Sequence, residues 1–259
     1  MKRKMTGKVI IYIILRLLVI LAMVIELIER DFYGVFLCLL TLVLFMIPTF
    51  VDKRLNIKLP SLLEYIILIF IFSAEILGEI GGFYQKFPYW DTILHTLNGF
   101  IMAGIGLALI DILNRTPSLH FNMSPIFVAV VAFCFSMTIG VIWEFFEFSM
   151  DYHTQTDMQK DAVYSEISSV KLNPLGGNDP YTITDIEETI IKGKVDGKAA
   201  EITTKGYIDI GIHDTIEDLA VNCIGAVVFS IFGIFYLKGR SKLALGFIPK
   251  MKEKEENLE

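Results

Sequence analysis

The sequence predicts an all-α membrane protein: a six-transmembrane-helix bundle with a small extracytoplasmic insertion containing a β-hairpin. Three observations carry this. The chain has 259 residues, 54% of them hydrophobic, and a mean hydropathy of +0.57. The apolar residues are gathered into six runs of the length, about 18 residues or more, needed to cross a hydrocarbon core of roughly 30 Å. Only one long polar stretch, 151–211, interrupts them.

The runs lie at 9–29, 32–51, 61–82, 91–113, 125–149 and 212–237. The first follows MKRKMTGK and has the outline of a secretion signal, but it is long and ends at Glu26, Glu29 and Arg30 instead of a small-residue cleavage site, so it reads as a retained helix. Lysine and arginine collect at Lys2, Arg3, Lys4 and Lys8, at Lys53, Arg54 and Lys58, at Arg115, and in the 238–259 tail, whereas the short alternate loops hold only Arg30 and Lys86. Positive residues mark the cytoplasmic side, so both termini are expected in the cytoplasm of a bacterial cytoplasmic-membrane protein, with 151–211 outside. The domain layout is then 1–150 for helices 1–5, 151–211 for the insertion, 212–237 for helix 6 and 238–259 for a cytoplasmic tail.

Within 151–211 six lysines face eleven acidic residues. Asp196-Gly197 lies between two β-prone runs, a two-residue hairpin signal. The net charge of −6 is segregated, and no basic patch interleaved with aromatics points to nucleic acid. Cys38, Cys134 and Cys223 all sit in apolar runs without a C-x-x-C spacing, and read as small hydrophobes. Tyr84, Phe87, Tyr89 and Trp90 suggest an interfacial aromatic belt.

The polar residues inside the spans carry the functional reading. Asp91, His95 and Asn98, four and three apart, share a face of helix 4. Glu144 and Glu147 end helix 5, and Asp214, Asp218 and Asn222 follow at steps of four on helix 6. With the orientation above, all fall at the outer membrane level, alongside Glu75 and Glu79 of helix 3 and Glu26 and Glu29 of helix 1. A charged Asp at the bilayer centre costs about 2.5–3.5 kcal/mol, and less near the interface. Arg16 is the one deep basic residue; it could snorkel, pair with a neighbour or balance an acidic site.

Three readings stay open for this cluster. It could be a hydrogen-bonded plug holding helices 4, 5 and 6 together. It could be a metal or acid–base site, with Asp91, His95, Glu144, Asp214 and Asp218 as ligands of a divalent ion (zinc, magnesium or manganese) and Glu144 or Glu147 as general base. Asn98 and Asn222 would then orient the carboxylates. Or it could be an ion or proton path in a transporter. The outer-leaflet level favours a lipid or lipid-linked envelope substrate over a cytosolic metabolite. His213 is a minor ligand candidate, and His120 and His153 read as solvated loop residues.

WDTILHTLNGF, VIWEFFEF and DTIEDLAVNCIGA carry, in order, D-x-x-x-H…G, E-x-x-E and D-T-x-x-D-L…G-A. In this order on successive helices they resemble the YjdF-like bacterial membrane proteins, a group similar to the VanZ-like superfamily. The resemblance covers roughly 88–235 and implies that Asp91, His95, Glu144, Glu147, Asp214 and Asp218 are the family's polar positions. VanZ-like proteins are associated with low-level resistance to teicoplanin-type antibiotics. The long 151–211 segment and Asn222 depart from that pattern.

Overall fold

The computed structural model of the chain describes residues 7–54, 57–115, 123–239 and 250–251. His120 and most of the basic and acidic tail lie outside them. Among the described residues six segments are long and apolar enough to span a membrane: Val9–Glu29, Phe32–Arg54, Ser61–Ile80, Trp90–Asn114, Pro125–Thr154 and Ile212–Leu237.

Helix α1 (Gly7–Glu29) stops where Arg30 takes a left-handed φ of 62°, the conformation that terminates helices. Asp31 then starts α2 (Phe32–Leu44) by accepting hydrogen bonds from the backbone N–H groups of Tyr33 and Gly34. The second span is two helices: α2 gives way to α3 (Ile47–Arg54) across Phe45 and Met46. Pro48 explains the break, since it has no N–H to offer the carbonyl of Leu44 and fits best in the first turn of a new helix. The third span also changes character. Helix α4 (Ser61–Phe72) continues as a π-helical segment, Ser73–Ile80, closed by the Gly81 N–H donating to the Ile76 carbonyl. A short α5 (Phe83–Lys86) follows, then the long α6 (Trp90–Arg115), α7 (Pro125–Thr154) and α8 (Ile212–Leu237).

Two compact units share these elements: Met1–Val141 with Asp218–Glu259, and Ile142–Glu217. The first contains the apolar core, in two clusters. Val19 of α1, Cys38 of α2, Leu63, Ile67 and Leu68 of α4 and Ile101 of α6 form one. Ala103 and Leu107 of α6, Val128 and Ala132 of α7 and Ala226 and Phe229 of α8 form the other, where Phe100 and Phe229 meet edge to face. Small residues let these helices close. A Cβ on Gly99 would lie 2.0 Å from the Asn222 carbonyl oxygen, and one on Gly225 2.0 Å from that of Thr96, so α6 and α8 touch backbone to backbone. Arg16 lies over the Tyr12 ring at 4.4 Å, with no acid needed to account for its position. β1 (Ile57–Lys58) pairs with β8 (Lys250–Met251), which is numbered last in the chain.

The second unit is tied together by a carboxylate. Asp151 in the last turn of α7 accepts from the Thr156 hydroxyl and from the backbone N–H groups of Met158 and Gln159, at 2.7–2.8 Å. Beyond it β2 (Ala162–Tyr164) pairs antiparallel with β7 (Tyr207–Asp209), and β3 (Ile167–Ser169) with β4 (Tyr181–Ile183). The hairpin expected at Asp196-Gly197 is present: β5 (Glu188–Val195) and β6 (Lys198–Lys205) pair from Glu188↔Lys205 to Val195↔Lys198. Both turn residues have positive φ, 51° and 77°, which the type I′ turn requires. Asp209 accepts from the His213 N–H at 2.9 Å and so starts α8.

Candidate functional site

The site of the first unit is built on the neighbouring helices α6 and α8. Asp91 and His95 are one turn apart near the start of α6, and Asp218 lies at the corresponding level of α8. His95 Nε2 is 3.4 Å from Asp91 Oδ1 and 3.6 Å from Asp218 Oδ2. The three ligand atoms all lie within 4.8 Å of one another. A tetrahedral ion with bonds of about 2.0–2.1 Å spaces its ligand atoms about 3.4 Å apart, so the observed separations are those of a group that could hold a metal. The Asp218 side chain is 6% exposed and that of His95 10%, but that of Asp91 is 26% exposed. The cluster is closed on the Asp218 side and open on the Asp91 side.

The layer below fixes the two helices against each other. Asn98, three residues beyond His95, donates from Nδ2 to Asn222 Oδ1 at 2.9 Å, and Asn222 is four residues beyond Asp218. Asn222 is fully buried and its own amide is directed at the Met137 sulfur of α7, at 3.5 Å. Ser136 Oγ donates to the Gly99 carbonyl at 2.8 Å. A Cβ on Gly140 would come within 2.9 Å of the Asn222 amide nitrogen. Asn98 and Asn222 therefore bond directly to one another and lock the register of α6 and α8, which in turn fixes where His95 and Asp218 meet.

Of the residues singled out in the sequence, Asp91, His95, Asn98, Asp218 and Asn222 are brought together in this unit. Glu144, Glu147 and Asp214 belong to the second unit. Glu144 and Glu147 of α7 are both buried, and Trp143 Nε1 donates to Glu147 Oε1 at 2.8 Å. Asp214, expected as a ligand, accepts from the Lys160 backbone N–H at 2.8 Å, while its neighbour Thr215 receives the Gln159 amide at 2.5 Å; that arrangement tethers the segment after α7. His213 packs against Tyr164 with ring centroids 4.1 Å apart and the planes tilted by 54°, and His153 is exposed with Nδ1 2.8 Å from the Ser149 carbonyl. Ser136, Met137 and Gly140 were not anticipated, and Gly225 entered only as the glycine of the third motif. In the sequence they look like ordinary members of apolar runs, and the one available signal was the concentration of small residues in helices 4 to 6.

The chain matches the family described as "Predicted membrane protein (DUF2238)" over residues 11–170, more than half of its length. The matched part contains Asp91, His95, Glu144 and Glu147 and ends before α8. A Thermotoga maritima protein described as "Uncharacterized protein" is 25% identical over 113 residues. That alignment takes in 42% of this chain and 56% of the relative, so the chain spans little more than half the relative's length. No solved structure matches. The YjdF-like resemblance fits this result, and the chain belongs to the DUF2238 family of predicted membrane proteins.

Proposed function

We propose that this is a membrane enzyme that holds a divalent ion at Asp91, His95 and Asp218 and acts on a lipid or lipid-linked envelope substrate. The observation that supports it is the spacing of those three ligand atoms, two carboxylates about one imidazole. One nitrogen and two oxygen donors suit zinc or manganese, and an accessible ligand on one side is the arrangement of a catalytic rather than a structural site. Such an ion supplies a Lewis acid and an activated water near neutral pH. Asp218, buried against His95, would hold the imidazole in place. Asp91, the accessible member, would face the incoming substrate. The acid–base role expected of Glu144 and Glu147 rests on their sequence pattern.

Positive-inside charge supports an outward-facing site with both termini in the cytoplasm of a bacterial cell. The wider VanZ-like relation rests on the three motifs and supports an envelope role; the 151–211 segment argues against transferring the resistance phenotype. Ion or proton-coupled transport is the second reading. It is favoured by Glu75, a buried carboxyl in the π-helical part of a span, since acids at membrane depth mark ion paths.

Elemental analysis of purified protein tests the first reading. Wild type should carry near-stoichiometric zinc or manganese, and His95→Ala and Asp218→Asn should lose it while remaining folded. Wild type without metal after incubation with either ion would overturn it and leave transport or a structural plug.

A further inference from the structure

Beside the triad, the first unit carries a hollow of about 500 Å³ between α4, α6 and α8. Ile66, Thr92, Ile93, Thr96, Phe100 and Val228 line it, and Gly225 forms part of its floor. A second hollow of about 310 Å³ lies among Phe83, Phe87, Pro88, Tyr89 and Trp90, and Ile93 belongs to both. The two therefore adjoin at Ile93 along one side of α6, as a trough that starts in the aromatic belt. Its lining is hydrocarbon and aromatic. The hydroxyl of Thr96 donates to the Thr92 carbonyl at 2.7 Å, so it presents no donor to a guest.

From Trp90 to Phe100 the trough follows ten residues of helix, about 15 Å at 1.5 Å per residue, or half of a hydrocarbon core of roughly 30 Å. It is one leaflet deep. Thr92 and Thr96 each follow a triad residue, Asp91 and His95, by one position, and Gly225 continues the α8 stripe of Asp218 and Asn222. The trough thus begins at the depth of the triad and runs away from it toward the bilayer middle, on the adjoining side of α6. A lipid molecule has this layout: a polar junction at the interface and a chain extending half a bilayer down.

We infer that the trough seats one acyl chain of a membrane lipid whose head-group linkage lies at Asp91, His95 and Asp218. This rests on the enzyme reading above and names its substrate class: an acyl lipid of the leaflet at the Trp90 end of α6. Hydrolysis is the reaction that the site would support, with water adding to the ester or phosphoester centre. The bond to the lipid oxygen breaks, and the departing oxygen takes a proton from the water.

The test uses the full chain in nanodiscs containing phosphatidylglycerol with a diazirine near the end of one acyl chain. After photolysis, labels mapped by mass spectrometry should concentrate on Ile93, Thr96, Phe100 and Val228. Even labelling across lipid-exposed residues such as Leu17, Leu21 and Ile28 of α1 would overturn the inference. Ile93→Trp and Val228→Trp should reduce trough labelling to the α1 level and leave the bound metal unchanged; Ile93 is 58% exposed, so its replacement does not burden folding. Asp218→Asn should lose metal and retain trough labelling. Metal without focused labelling sinks the acyl seat alone, whereas focused labelling without metal sinks the enzyme reading alone. Co-purification of a polyprenyl lipid that competes with the probe would replace the acyl chain as occupant and count against the proposal.

Discussion

One carboxylate oxygen of Glu75, Oε2, is buried with no hydrogen-bond partner among the described residues, and the side chain as a whole is 3% exposed. An unsatisfied buried polar group costs about 1–3 kcal/mol. Glu75→Met, which keeps the volume and removes the oxygens, should therefore raise the thermal midpoint in detergent. A lowered midpoint would mean that the oxygen has an ion or water in the working protein, and would move weight to transport. Asn222 is the opposite case, with its amide engaged on both sides. Asn222→Ala should cost about 1 kcal/mol, within the range measured for polar contacts between membrane helices, and should loosen the triad. Reduced metal affinity with His95, Asp91 and Asp218 intact is the readout. These residues differ in how visible they were. Four-residue spacing placed Asp91 with His95 and Asp218 with Asn222, because helical periodicity is written in the chain. The pairing of Asn98 with Asn222 was not written there, since it depends on how two helices dock.

Helix docking belongs to the element scale, and here the glycines decide it. Gly99 and Gly225 are the points at which α6 and α8 come closest, and a methyl group at either would meet backbone oxygen at 2.0 Å. No rotamer change relieves a clash with a carbonyl, so Gly225→Ala should separate the helices and reduce folded yield, measured by size-exclusion profile and thermal midpoint. Gly193 has open space around it, and its alanine variant serves as the control that should express normally. The six spans were legible because apolar length alone identifies them. The split of the second span was signalled by Pro48, although the expectation treated 32–51 as one helix. The π-helical turn at Ser73–Ile80 left no mark in residue pattern, since the same side chains suit an α-helix. In the second unit, burial pushes the Asp161 carboxyl above the usual aspartate range; Asp157, Asp151 and Asp209 add to this, and Lys160 opposes it. A raised acid stabilises the fold below its unfolded pKa, near 3.9, and that contribution is lost as pH rises through the higher folded value. Asp161→Asn should therefore match wild type in thermal midpoint at pH 3.5 and exceed it at pH 7.

For the whole molecule, topology is the property that most constrains function. The orientation proposed from the charge bias, with the triad and the 151–211 segment outside, is the expectation to test. A cysteine at Thr184, in a Cys38, Cys134 and Cys223 replacement background, should react with an impermeant maleimide in intact cells. Reaction only after lysis would reverse the orientation and turn the site toward the cytosol. The bundle was legible from hydropathy, and the hairpin from two residues. What could not be read was the division into two units, which assigns Glu144, Glu147 and Asp214 to the second; contact density is a property of the folded chain and has no local signature.

The type I′ hairpin of β5 and β6 has a practical consequence. Its tip, Asp196-Gly197, is exposed, and no atom lies within 4 Å of where a Cβ on Gly197 would sit. A small, mostly membrane-embedded chain is a poor particle for electron cryomicroscopy because it offers little to align. An antibody epitope or a rigid fusion grafted between those two residues would supply a fiducial mark on the described ladder and leave the sequence of every membrane helix unchanged.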